Sequence, residues 1–169
     1  MHTCGPLRIA LFNTRSMRNK LPHITETLNE FSLDILCLTE TWLIESDMNI
    51  IMAALPKSYS ILHVPRKQGT GGGVALVYSR AFSSIRQIDN DLNITSFEFM
   101  EVALSLHSQL IRVVVVYCPG HMGTDRIFIE EFGFLIENLL QKSGKLLICG
   151  DFNYWIDNPS SKPYSSEFL

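Results

Sequence analysis

Apolar positions along this chain follow two rhythms. Short runs too brief for a helix predict strands at Leu7–Phe12, Asp34–Thr39, Tyr59–Val64 and Val74–Tyr78. Phe97–Leu106, which alternates imperfectly, and the apolar run Ile111–Tyr117 predict a hairpin turning at His107, Ser108 and Gln109. Lys145–Cys149 predicts a last strand, buried on both faces and surfacing at its C-terminal end. Between these, helical spacing takes over. Leu21, Ile24, Leu28 and Phe31 form one stripe, with Asn19 as cap and Pro22 in the first turn. Met48, Ile51, Met52 and Leu55 form a shorter one, started by Ser46 or Asp47 and stopped by Pro56. Phe128, Phe132, Leu135 and Leu139 form a third, capped by Thr124 or Asp125 and closing at Gly144. The opening strand, helix and strand favour parallel pairing through a right-handed crossover.

Polar groups collect where strands end. The first strand ends on Asn13, the second on Glu40, the hairpin on Tyr117 and the last on Gly150-Asp151-Phe152-Asn153. Residues two apart on an extended chain point the same way, so Asp151 and Asn153 are expected to share a pocket while Phe152 turns into the core. Gly150 leaves room for a ligand's close approach. Carboxylate and amide oxygens gathered at one sheet edge are the chemistry of a hard cation such as Mg²⁺.

Asn13, the segment Leu38-Thr39-Glu40-Thr41-Trp42, Tyr117-Cys118-Pro119 and Gly150-Asp151-Phe152-Asn153 together resemble the ordered motifs of the endonuclease/exonuclease/phosphatase superfamily. The opening Asn13-Thr14-Arg15-Ser16-Met17-Arg18-Asn19-Lys20 is most similar to the apurinic-endonuclease-like domain of LINE-type (non-LTR) retrotransposons. The resemblance implies an α/β sandwich of two mixed-strand sheets flanked by helices (DNase I-like), and a Mg²⁺-dependent phosphodiesterase that nicks DNA, with Mn²⁺ as a substitute ion. It implies Glu40, Asn13 and Asp151 as metal ligands. Asp151 would orient or deprotonate the attacking water, and Asn153, Asn13 and Tyr117 would hold the metal shell and phosphate oxygens. Arg15 and Arg18 are candidate phosphate contacts. Where relatives carry a polar or Pro residue after Tyr-x-Pro, this chain has Gly120 and His121, so a substrate contact is expected to be lost. Relatives also continue into a later Asp and a Ser-Asp-His type motif, so the fold is expected to be incomplete at its C-terminal side and the chain alone weakly active or inactive. The alternatives are a phosphatase-type member of the superfamily and a non-catalytic remnant or binding module.

Composition adjusts this picture in a few places. With 169 residues, 46% hydrophobic and 18% charged, one domain over 1–156 can bury roughly 70% of its unfolded surface, leaving 157–169 as a polar tail or the start of a further segment. A net charge of −3 makes any phosphate attraction local, to Arg15, Arg18 and Lys20 or to Arg66 and Lys67. No apolar run suits a membrane span and the N-terminus lacks a signal-peptide layout, which gives an intracellular expectation, nuclear or cytoplasmic, with DNA as partner and no membrane. Cys4, Cys37, Cys118 and Cys149 contain no CxxC pair and read as reduced core residues. His2, His23, His63, His107 and His121 read as structural or solvated. Gly69–Gly73 lacks the Gly-Lys-Ser/Thr ending of a phosphate cradle and precedes a strand, so it reads as a tight connection.

Overall fold

The computed structural model describes residues 6–154 apart from 68, 107 and 121–125. In chain order the elements are β1 (Ile9–Asn13), α1 (Leu21–Glu30), β2 (Ile35–Thr39), α2 (Met48–Ala54), β3 (Tyr59–Val64), β4 (Val74–Ser79), β5 (Ser84–Ile88), β6 (Glu98–Leu106), β7 (Gln109–Tyr117), α3 (Arg126–Leu140) and β8 (Lys145–Asp151). They build two four-stranded sheets, ordered β1-β2-β4-β3 and β5-β6-β7-β8. β1 and β2 pair in parallel, as do β7 and β8, and the other pairings are antiparallel.

Alternation along each strand explains why the runs are apolar throughout. On β2, Leu36 and Leu38 pack under α1 and α2, while Ile35 and Cys37 face the second sheet. On β7, Val113 and Val115 face the first sheet, while Val114 and Val116 pack under α3. Both faces of each sheet are thus covered, by the other sheet on one side and by helices on the other. Among the described residues no helix is long and apolar enough to cross a membrane.

Several local expectations change. Asn19 does not cap α1: it lies in a 3₁₀ turn, Met17–Lys20, that runs directly into the helix, and no side chain bonds the helix start. Pro22 sits in the first turn as expected. Phe31 falls past the last helical residue and is exposed, so the buried stripe ends at Leu28. Met52 is likewise exposed, leaving Ile51 as the buried position of α2, with Leu55 buried just past its end. β5 has no counterpart in the sequence reading. The cap expected at Thr124 or Asp125, the expectations for Cys4, His2, His107 and His121, and the polar tail lie outside the described residues.

β8 corrects two further expectations. It packs on both faces, with Leu147 and Cys149 toward the first sheet and Leu146 and Ile148 toward α3. It is also the outermost strand of its sheet, so its apolar residues are half-buried rather than fully buried. The space left by Gly150 belongs to the neighbouring strand and not to a ligand, since a Cβ there would stand 2.0 Å from the Val116 carbonyl oxygen. The described cysteines Cys37 and Cys149 form no disulfide. A hydrogen bond with Cys149, then burial, holds the Cys37 thiol well above the usual thiol range, hence protonated.

Candidate active site

The pairing directions gather one end of the sandwich. Parallel pairing aligns Asn13 with Thr39, and Tyr117 with Asp151, at the C-terminal ends of their strands. On β1, β7 and β8 the odd-numbered residues face between the sheets, which carries Asn13, Tyr117 and Asp151 to a shared rim. Glu40 comes one residue after β2, where strict alternation would send its side chain toward the helices. A left-handed backbone, φ 50°, breaks that alternation there.

One amide joins the two sheets. Asn13 Nδ2 donates to Glu40 Oε1 at 2.8 Å and to Asp151 Oδ2 at 2.7 Å, so both hydrogens of the amide are used and two carboxylates from different sheets converge on one nitrogen. The Asn153 backbone N–H donates to Asp151 Oδ1 at 3.2 Å, which fixes the second oxygen of that carboxylate. Phe152 packs edge-on against Phe132, turned inward as expected. The Asn153 side chain donates from Nδ2 to the Cys118 carbonyl, next to Tyr117, at 2.7 Å.

Tyr117 lies against the same cluster. Burial, and then the nearby Glu40 carboxylate, push its hydroxyl up to about 12, with Arg66 opposing the shift, so it is a neutral donor at ordinary pH. The Arg66 guanidinium sits 5.8 Å from the Tyr117 ring centroid, pairs with Glu98 and donates to the Thr70 carbonyl at 3.0 Å. Glu98 was not foreseen. Its signal was the hairpin register, which sets Glu98 directly opposite Tyr117.

Backbone strain concentrates here. Among the described residues, seven non-glycine residues have left-handed φ, and five of them, Arg15, Ser16, Glu40, Trp42 and Asn153, stand at this rim. Such conformations cost about 1–3 kcal/mol each and persist where surrounding bonds over-determine them. Ser16 and Met17 N–H groups donate to the Glu40 and Thr41 carbonyls at 3.0 and 2.9 Å, and Thr41 and Trp42 N–H groups donate to Gly73 and Gly72 carbonyls at 3.2 and 2.8 Å. Residues 40–42 are therefore clamped between 16–17 and 72–73. The glycine run is more than a connection: a Cβ on Gly72 would fall 2.3 Å from Arg66 Nε.

Of the basic candidates, Arg15 is exposed on the rim, whereas the Arg18 guanidinium is paired with the buried carboxylate of Asp47. His23 packs edge-on against Phe12, and on β3 His63 stands between Leu62 and Val64, which face the second sheet, so alternation turns it to the helix side and away from the rim. A cleft of about 560 Å³ opens beside Arg66, Glu98 and Pro119 and runs under residues 87–97, and none of Asn13, Glu40 and Asp151 lines it.

The donors suit a particular class of ion. Among the described residues no group of three or more His, Cys, Asp or Glu could hold a metal, which leaves the pair of carboxylates on one amide. Two carboxylates, completed by water and substrate oxygens, are the Mg²⁺ pattern rather than the zinc one.

A model of the Endonuclease/Exonuclease/phosphatase family matches residues 10–166. Similar solved structures include the catalytic domain of human Nocturnin with bound sulfate (TM-score 0.62, 14% identity, covering 89% of this chain and 65% of that one). D. rerio TDP2 complexed with a single-strand DNA product gives 0.61 at 12% identity, covering 90% and 64%. The 3′ phosphatase NExo from Neisseria, bound to a product DNA hairpin, gives 0.56 at 20%, covering 88% and 58%. The chain thus spans less than two thirds of each, and at these identities the likeness is one of fold. No curated protein matches the chain in sequence.

Proposed function

The chain belongs to the endonuclease/exonuclease/phosphatase family and has its DNase I-like sandwich, and from that premise we propose that it is a Mg²⁺-dependent phosphodiester hydrolase, a DNA-nicking endonuclease domain of LINE-type retrotransposon origin. The observation that carries the chemistry is the convergence of Glu40 and Asp151 on the Asn13 amide. The Asn13–Lys20 opening supports the retrotransposon assignment, and the DNA products in the TDP2 and NExo structures support the polymer. A nuclear or cytoplasmic setting goes with that substrate.

Glu40 and Asp151 would hold the ion, with the Asn13 amide fixing both carboxylates, and the ion would supply charge stabilisation at the phosphate and acidify a bound water. Asp151 has both oxygens fixed, by Asn13 and by the Asn153 N–H, and so presents a set lone pair that orients the attacking water or takes its proton. Tyr117 keeps its proton and donates to a phosphate oxygen. Arg15, exposed at the rim, offers a backbone-phosphate contact. Neither described histidine reaches the site, and turnover by these residues alone is expected to be slow.

Nicking of supercoiled plasmid tests the reading. Mg²⁺-dependent conversion to open circle, lost in Asp151→Asn and Glu40→Gln, is expected, and conversion unchanged in both variants refutes it. The likeness to a 3′ phosphatase favours a phosphomonoester at a DNA end as the second reading. Faster release of phosphate from a 3′-phosphorylated oligonucleotide than nicking of plasmid would select it.

A further inference from the structure

We propose that Trp42 is a stacking platform for a nucleobase flanking the phosphate held at the Asn13–Glu40–Asp151 site. This rests on the reading of the chain as a DNA-directed hydrolase and adds the residue that grips the base.

Trp42 stands two residues beyond Glu40 in the clamped segment, yet its side chain is 48% exposed. A bulky aromatic with φ 54° is strained, and half-exposure means that core packing does not offset the cost. The position is nonetheless held firmly, by the 2.8 Å bond from its N–H to the Gly72 carbonyl. Its indole edge lies close over Gly71, where an added Cβ would stand 3.3 Å from Trp42 Nε1. Gly71 therefore supports the ring without covering it. Strain that fixes an aromatic at the surface, two residues along the chain from Glu40, makes sense if a ligand completes the packing.

The surroundings select a nucleobase. The segment carrying Arg15 bonds to one edge of residues 40–41 and the glycine loop, with Arg66 behind it, bonds to the other. A phosphate at Asn13, Glu40 and Asp151 and a base over the indole would be neighbouring parts of one nucleotide strand. With a net charge of −3, the protein cannot rely on overall electrostatic attraction to DNA, so a contact indifferent to salt has more to contribute. Every base has a π-face, so the platform would add affinity with little sequence preference.

The test is anisotropy with a fluorescein-labelled DNA duplex in EDTA, so that no strand is cut, comparing wild type with Trp42→Ala, Trp42→Phe and Trp42→Leu. Each protein is also titrated with a series of duplexes in which one base at a time is replaced by an abasic tetrahydrofuran. Trp42→Ala is expected to weaken binding about tenfold or more, Trp42→Phe to recover most of it, and one abasic position to erase the difference between wild type and Trp42→Ala. Trp42→Leu keeps apolar bulk should the alanine variant unfold, and is expected to lose affinity while folded. Wild-type binding unaffected by these variants, or a loss that persists on every abasic duplex, overturns the platform and leaves the hydrolase reading intact. Failure of the wild type to bind any duplex overturns both.

Discussion

Asn13 and Asp151 are 138 residues apart in the chain, and the Asn13 side-chain nitrogen lies 2.7 Å from Asp151 Oδ2. With Glu40 Oε1 at 2.8 Å from the same nitrogen, one amide holds together two carboxylates that would otherwise repel each other. Asn13→Ala removes this support while leaving both acids in place. Its Mg²⁺ affinity, read by calorimetry, is expected to fall about 10- to 100-fold, as for other residues that orient metal-binding carboxylates.

Tyr117 gives a prediction with a definite sign. The folded state keeps its phenolic proton to about pH 12, whereas the unfolded chain releases it near the ordinary value of 10.0. Its contribution to stability is whole below the unfolded value and is lost as pH rises through the folded one. Tyr117→Phe should therefore flatten the fall in melting temperature over that alkaline window. It should also slow phosphodiester cleavage about 100-fold, the usual effect of deleting one donor to a developing charge.

Much of the architecture was legible because two sheets each covered on both faces leave a plain signature. Leu36 and Leu38 under helices, with Ile35 and Cys37 between sheets, give one unbroken apolar run. The candidate site was legible as polar residues ending such runs. β5 was not, because its Ser84, Arg86 and Gln87 are exposed and only Ile85 and Ile88 are partly buried, with no apolar run between them. Neither was the left-handed backbone at Glu40, set by bonds to residues 16 and 73 that no local pattern records. Arg18 read as a phosphate contact because its partner, Asp47, lies in a turn distant in sequence. Gly150 read as room for a ligand because its actual neighbour, Val116, is fixed only by the β7–β8 register.

A buried ion network under α3 supports the second sheet. Glu101 is fully buried and faces Arg112 Nη1 at 3.2 Å and Lys142 Nζ at 2.8 Å, while Arg112 also donates to the Leu139 carbonyl. Glu101→Ala leaves the Arg112 charge buried without its carboxylate and should lower unfolding free energy in urea by about 3–5 kcal/mol. Lys142→Ala, at a more exposed position, should cost much less.

Gly150→Ala forces a methyl group against the Val116 carbonyl, 2.0 Å away without relaxation, at the strand step before Asp151. The β7–β8 pairing must open to admit it. A loss of about 3 kcal/mol in unfolding free energy is expected. Mg²⁺ affinity should drop with it even where the variant remains folded, because Asp151 moves with the strand.

The claim on which the rest depends is that Glu40 and Asp151 hold a divalent cation together. Isothermal titration of Mg²⁺ into wild type, Glu40→Gln and Asp151→Asn measures it directly. Saturable one-site binding in the wild type, lost in both variants while their melting temperatures stay close to it, is the expected result. Equal binding by all three proteins would contradict it.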